Sequence, residues 1–193
     1  MRHHKAIFLD KDGTLITNVP YNADPAKIEL IEGVAEGLQR LGSLGYLFFV
    51  VTNQAGVAKG FFTEEALTAV EDRLQHLLSN NGIALSGFYY CPHHPEGSVP
   101  VYAKACHCRK PMPGMLLEAA LNNDVRLDQS WMVGDILDDV EAGNRAGCKT
   151  VLVDCAQHER AKISTDHQCP TFIADDFGEA ANLIIKFTRN GEV

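Results

Sequence analysis

At 193 residues the chain is long enough to bury a core without staples, and its 46% hydrophobic and 22% charged content is ordinary for a globular protein. The formal charge of −8 gives no basic footprint for a nucleic-acid backbone, and no apolar run reaches membrane-spanning length. The opening Met1-Arg2-His3-His4-Lys5 leads into only four apolar residues, too few for a secretory core, so a cytoplasmic protein without membrane or nucleic-acid partners is expected.

In chain order, Lys5 to Asp10 reads as a buried strand and Gly33 to Leu44 as a helix. Tyr46 to Val51, β-branched and aromatic, is a second strand. Thr63 is the expected cap of the next helix, with Glu64 and Glu65 in its first turn against the positive end of the dipole. Leu67, Val70, Leu74, Leu77 and Leu78 continue at helical spacing until Asn80-Asn81-Gly82. Leu85 to Tyr90 is a third strand, and residues 91–110 show no period. Met115 to Asn122 is helical, Trp131 to Val133 a short strand, Asp139 to Ala146 a short helix and Thr150 to Val153 a strand. Thr171 to Ala174 and Phe177 to Phe187 supply a last strand and helix. This alternation predicts an α/β protein with a mainly parallel sheet and a ligand site at the carboxyl ends of its strands.

Three of those ends are polar: Asp10, Thr52-Asn53 and Gly134-Asp135. Arg109-Lys110 precedes a helix start at Pro113. In Asp10-Lys11-Asp12-Gly13-Thr14 two close carboxylates repel and demand a cation. Mg²⁺ takes one or two protein carboxylates together with phosphate oxygens, and Asp135 is a third oxygen donor. Alone, Asp-x-Asp-Gly is more often a turn or a helix cap; the strand end before it and the polar ends downstream favour a site.

Of six cysteines, Cys148, Cys155 and Cys169 are scattered, as small buried hydrophobes usually are. Cys91-Pro92-His93 and Cys106-His107-Cys108 instead flank a 12-residue gap. Four ligands drawn from these two groups suit a closed, structural, tetrahedral Zn²⁺ site that pins an otherwise unsupported loop. By sequence alone, His94 and His107 compete with His93 as the imidazole donor.

Asp10-x-Asp12-Gly13-Thr14 resembles the first motif of the haloacid-dehalogenase-like (HAD) phosphatases. Thr52, Lys110 and Gly134-Asp135 with Asp139 match the second, third and fourth motifs in order. The resemblance implies a Rossmann-like, doubly wound sheet and a Mg²⁺-dependent phosphomonoester hydrolase. Asp10 would be the nucleophile and Asp12 the general acid and base. Asp10, the Asp12 carbonyl and Asp135 would hold Mg²⁺. Thr52, the Asn53 N–H and Lys110 would neutralise phosphoryl oxygens, with Asp139 supporting Lys110.

Cys91-Pro92-His93-His94-Pro95 and Cys108-Arg109-Lys110-Pro111 resemble the zinc-loop subset of these phosphatases, in which Cys91, His93, Cys106 and Cys108 would hold Zn²⁺. That subset acts on histidinol phosphate or on a heptose bisphosphate. The long gap between the ligand groups looks more like the heptose branch, which removes a 7-phosphate in nucleotide-activated heptose synthesis for lipopolysaccharide or surface glycans. The implied partner is a small sugar bisphosphate and the implied state a monomer. A histidinol-phosphate enzyme and a non-catalytic zinc module are the alternatives, the second opposed by the intact Asp10, Asp12 and Asp135.

Only 37 residues separate Thr14 from Thr52, too few for a large cap. Loops are therefore expected to contact the sugar, through Asn18, Val19, Pro20 and Tyr21 and through Asn53, Gln54 and Ala55. Arg109 is expected to grip the second phosphate with its planar fork. Lys59 is a second candidate to help it, read first as a solvated loop residue. One domain spans 1–193, with a zinc loop at about 91–110 and a C-terminal extension from about 154 that matches the subset poorly.

Overall fold

In the first strand, Ile7 and Leu9 point to one face and Ala6 and Phe8 to the other, and all four are buried. A strand apolar on both faces needs cover on both, the condition met inside a parallel sheet. The computed structural model describes residues 3–191. Its strands are Lys5–Leu9 (β1), Tyr46–Asn53 (β2), Gly87–Cys91 (β3), Trp131–Gly134 (β4), Lys149–Val153 (β5) and Phe172–Ala174 (β6). They form one sheet in the order β3-β2-β1-β4-β5-β6, every neighbouring pair parallel. The chain moves outward from β1 to β3 and then crosses back to β4. That reversal opens a crevice at the carboxyl ends of β1 and β4, where ligands settle in such sheets.

The helices are Val34–Gly42 (α1), Ala55–Ala58 (α2), Glu64–Ser79 (α3), Gly114–Asn122 (α4), Leu137–Ala146 (α5) and Phe177–Arg189 (α6). Leu38 and Leu41 of α1, Val70 and Leu74 of α3, and Ala181 and Ile184 of α6 pack with Ile7, Leu9 and Val50. Met115 and Ala119 of α4 and Ala142 of α5 pack with Ala6, Phe8 and Phe49 on the opposite face. Residues after 154 are part of this architecture. Phe172 of β6 stacks on Trp131 at 5.7 Å, and Phe187 of α6 meets that indole edge-on at 5.3 Å.

Several expectations need correction. β2 runs past Val51 to Asn53 because the backbones of Thr52 and Asn53 still pair with Tyr90 and Cys91, although their side chains are polar. Thr63 occupies the cap position of α3 but its hydroxyl makes no capping bond. Glu64 does more than face the dipole, since its carboxylate accepts the hydroxyls of Tyr90 and Tyr102. Cys148 is buried as expected, whereas Cys155 and Cys169 are exposed. Among the described residues no helix is long and apolar enough to cross a membrane.

Candidate active site and metal cluster

β1 delivers Asp10 to the crevice, and the Asp10 N–H donates to Val133 O of β4 at 2.9 Å. The chain then turns back, with the Leu15 and Ile16 amides donating to Lys11 O. Gly13 takes φ +89°, and a Cβ there would lie 2.2 Å from Asp135 Oδ2, so both conformation and space select glycine. Lys11 Nζ donates to Asp12 Oδ1 at 2.7 Å, and Gln54 Nε2 donates to Asp12 Oδ2 at 3.3 Å. The same Gln54 amide donates to Thr52 Oγ1 at 2.9 Å and so links the first two motifs.

Lys110 enters from the connection before α4. The Asn53 carboxamide grips its backbone, accepting from Lys110 N and donating to Lys110 O, both at 3.0 Å. The buried ammonium lies 2.5 Å from Asp10 Oδ1, 2.6 Å from Asp139 Oδ1 and 2.8 Å from Val51 O. Burial works against this charge, but Asp10 and Asp139 outweigh it and hold the Lys110 pKa above the ordinary lysine value. Asp139, in the first turn of α5, also accepts from Ile136 N at 3.3 Å. Burial pushes its carboxyl well above the usual range, against the pull of Lys110.

Asp135, at the end of β4, accepts from Thr14 Oγ1 at 3.3 Å. Burial, and then the charges of Asp10 and Asp139, push its carboxyl up to about 8. Asp12 is raised as well, by burial that outweighs the pull of Lys11. Asp10, Asp135 and Asp139 each bring one oxygen within 4.8 Å of the others. Lys110 serves two of them and leaves Asp135 crowded by negative charge. A hard divalent cation would relieve that crowding, so this all-oxygen donor set fits Mg²⁺.

Beside Asp12 opens a cleft of about 280 Å³ whose walls include Asn18, Val19, Pro20, Tyr21, Asn53, Gln54 and Ala55. All seven contacts expected from the first two loops are thus brought together, with Asn22, Gly56 and Phe62 added. Arg109 is not part of this wall; its Nη1 donates to His93 O at 3.3 Å. Lys59 keeps a partly exposed setting in the segment after β2 but is engaged there. Its Nζ donates to Tyr21 OH at 2.6 Å and sits 4.8 Å from the Tyr21 ring centre. Burial, with the charges of Arg109 and Lys59, holds the His94 pKa below its usual value. No local signal around Ala58-Lys59-Gly60 marks the contact with Tyr21, because it arises only where two distant loops meet.

Cys91, His93, Cys106 and Cys108 form a compact cluster. Its sulfur–sulfur separations are 3.0 Å for Cys91–Cys108, 3.3 Å for Cys106–Cys108 and 3.5 Å for Cys91–Cys106. His93 Nδ1 lies 3.3 Å from Cys108 Sγ and 3.7 Å from Cys91 Sγ. Disulfide-bonded sulfurs lie about 2.05 Å apart. Tetrahedral zinc with bonds of about 2.3 Å sets its sulfurs about 3.8 Å apart, closer to what is seen. Three thiols and one imidazole in this shape fit a closed Zn²⁺ site. His94 Nδ1 instead accepts from Glu96 N at 3.1 Å, and His107 is exposed, so neither competing imidazole joins the cluster. The loop is also tied to the strand-end segment after β2, through Val99 N to Ala58 O and Ser98 Oγ to Lys59 O, both at 2.9 Å.

The HAD-hydrolase-like family model matches residues 107–180. A Pasteurella multocida protein named D-glycero-beta-D-manno-heptose-1,7-bisphosphate 7-phosphatase is 45% identical over 150 residues, covering 77% of this chain and 81% of its own. The protein of that name from Photorhabdus laumondii is 40% identical over 181 residues, covering 93% of this chain and 89% of its own. A crystal structure of D,D-heptose 1,7-bisphosphate phosphatase from B. bronchiseptica, complexed with magnesium and phosphate, is similar with a TM-score of 0.81 at 28% identity. That similarity covers 94% of this chain and 98% of the other.

Proposed function

The chain belongs to the D-glycero-beta-D-manno-heptose-1,7-bisphosphate 7-phosphatase family of HAD-like phosphatases, and from that premise we propose that it hydrolyses the 7-phosphate of a heptose 1,7-bisphosphate through an aspartyl-phosphate on Asp10. The observation that carries this reading is the convergence of Asp10, Lys110 and Asp135 at one crevice, next to Asp12, which lines the adjoining cleft.

In the first step the Asp10 carboxylate attacks phosphorus and the bond to the sugar oxygen breaks. Asp12 gives that oxygen its proton as it leaves. In the second step water attacks the aspartyl-phosphate, Asp12 takes the water's proton, and inorganic phosphate departs with Asp10 regenerated. Lys110 and Thr52 neutralise phosphoryl oxygens where transition-state charge lies. Asp139 keeps the Lys110 ammonium charged and aimed despite its burial. The Asp10 and Asp135 carboxylates and the Asp12 carbonyl would hold Mg²⁺, which would supply positive charge to the reacting phosphoryl oxygens when bound.

The sugar lies along residues 18–21 and 53–55. The phosphate that is not transferred falls to Arg109, whose planar fork suits phosphate oxygens. Cys91, His93, Cys106 and Cys108 hold a structural Zn²⁺ that fixes the loop carrying Arg109. In this reading the protein is a cytoplasmic monomer acting on a small sugar bisphosphate. The test is phosphate release with Mg²⁺ from heptose 1,7-bisphosphate and from histidinol phosphate, compared as kcat/KM. A strong preference for the bisphosphate supports the reading, and a preference for histidinol phosphate overturns the substrate while leaving the chemistry.

A further inference from the structure

Lys11 stands between the two reacting carboxylates in sequence, yet it is only 1% exposed. A buried ammonium needs a partner. Among the described residues the one carboxylate within ion-pair range is Asp12, with Oδ1 at 2.7 Å. Stability alone gives little reason for a charge in this place, since well-packed apolar side chains often match or exceed a buried ion pair. The pair does have a geometric effect. The terminal torsion of an aspartate is broad, so a carboxylate held at one point can still rotate. Here Lys11 takes Oδ1 from the buried side, and Gln54 Nε2 meets Oδ2 at the longer distance of 3.3 Å. The Asp12 carboxyl remains 27% exposed and lines the cleft.

We propose that Lys11 is a positioning residue: its buried ammonium holds Oδ1 while Gln54 meets Oδ2, and with both points held the Asp12 carboxylate turns Oδ2 toward the oxygen of the departing sugar. Lys11 itself touches no substrate. The inference rests on the reading of Asp12 as general acid, and the experiment separates the two.

The readout is leaving-group dependence. A sugar alkoxide needs a proton to depart, whereas nitrophenolate leaves without one. The value of kcat/KM covers events only through phosphoryl transfer to Asp10, so it is blind to the later water step. It is measured with Mg²⁺ on the sugar bisphosphate and on p-nitrophenyl phosphate for Lys11→Met, Lys11→Arg and Asp12→Asn. Lys11→Met is expected to lose about tenfold or more on the sugar phosphate, a fraction of what a general acid supplies, and to stay within about threefold on the aryl ester. Lys11→Arg, which keeps the charge and the donor, should recover most of the sugar-phosphate activity. Asp12→Asn should show the same split with a larger loss. Retained aryl-ester turnover shows that the variant is folded. Lys11→Gln, uncharged but polar, is measured alongside and must show the split if the Met variant does not accumulate. Equal losses on both esters, or no loss, in the Lys11 variants while Asp12→Asn shows the split would overturn the role of Lys11 and leave that of Asp12. Absence of the split in Asp12→Asn overturns both.

Discussion

Asp10 and Asp12 are two positions apart but answer to different cations: Asp10 pairs with Lys110 from a distant connection, Asp12 with its own neighbour Lys11. In the proposed mechanism that division would let one carboxylate attack while the other handles the proton. Replacing Asp10 by Asn removes the attacking oxygen but leaves Lys110 bonded to Asp139 and Val51 O. Asp10→Asn should therefore lose essentially all phosphate release, by about 10³-fold or more, while its thermal midpoint stays near that of the parent. Turnover at parental rates would remove Asp10 from the nucleophile's role. That Asp10, Asp12, Thr52, Lys110 and Asp135 would meet at neighbouring strand ends was legible in the sequence, because each sits at a strand end or beside a helix start in a recognisable local pattern. The burial of Lys11, the Gln54 bridge from Asp12 to Thr52 and the reach of Lys59 to Tyr21 were not. Each depends on where a flexible side chain ends up, which residue type and spacing do not encode.

Elements were legible where burial on one or both faces imposes a period, as in β1 and α3, and blurred where it does not. α2 has four residues, too few for any period, and was missed. The exposed Cys155 and Cys169 lie in a stretch dominated by short turns, where a small apolar residue carries no sign of its side. α5 illustrates a tighter constraint. A Cβ on Gly143 would lie 2.6 Å from both Met132 Cβ and Thr150 Cγ2, so the helix rides directly on β4 and β5. Gly143→Ala should destabilise the protein by about 1–3 kcal/mol through overpacking. Urea unfolding should show a lower midpoint with an unchanged slope, and an unchanged midpoint would mean that α5 shifts freely on the sheet.

At the scale of the molecule, the strand order could not be read from the sequence, since alternating strands and helices are compatible with several crossovers. Its consequence is the concentration of negative charge at one crevice. In the metal-free protein the Asp135 carboxyl rises from 3.8 to about 8. The folded chain then keeps a proton across a range in which the unfolded chain has lost it. Stability from this group is complete below about pH 3.8 and falls as pH rises toward 8. Chelated protein should therefore melt at a lower temperature at pH 8 than at pH 6. Mg²⁺ should raise the midpoint more at pH 8, where its ligand is already ionised. Melting curves with and without chelator test both statements, and a metal-free midpoint that climbs from pH 6 to pH 8 would contradict the charge crowding.

The cysteine–histidine cluster has a consequence for chain integrity. Val101, 64% exposed, lies between His93 and Cys106, with two donors on each side of it. A single protease cut beside Val101 would leave Cys91 and His93 on one fragment and Cys106 and Cys108 on the other. The fragments stay joined through the pairing of β1 with β4, and with zinc in place the ion would tie the cut ends of the loop, as the peptide bond no longer does. The nicked protein should run as two bands on a denaturing gel yet still release phosphate, until a chelator strong enough to strip zinc lets the cut ends part and Lys110 drift from Asp10.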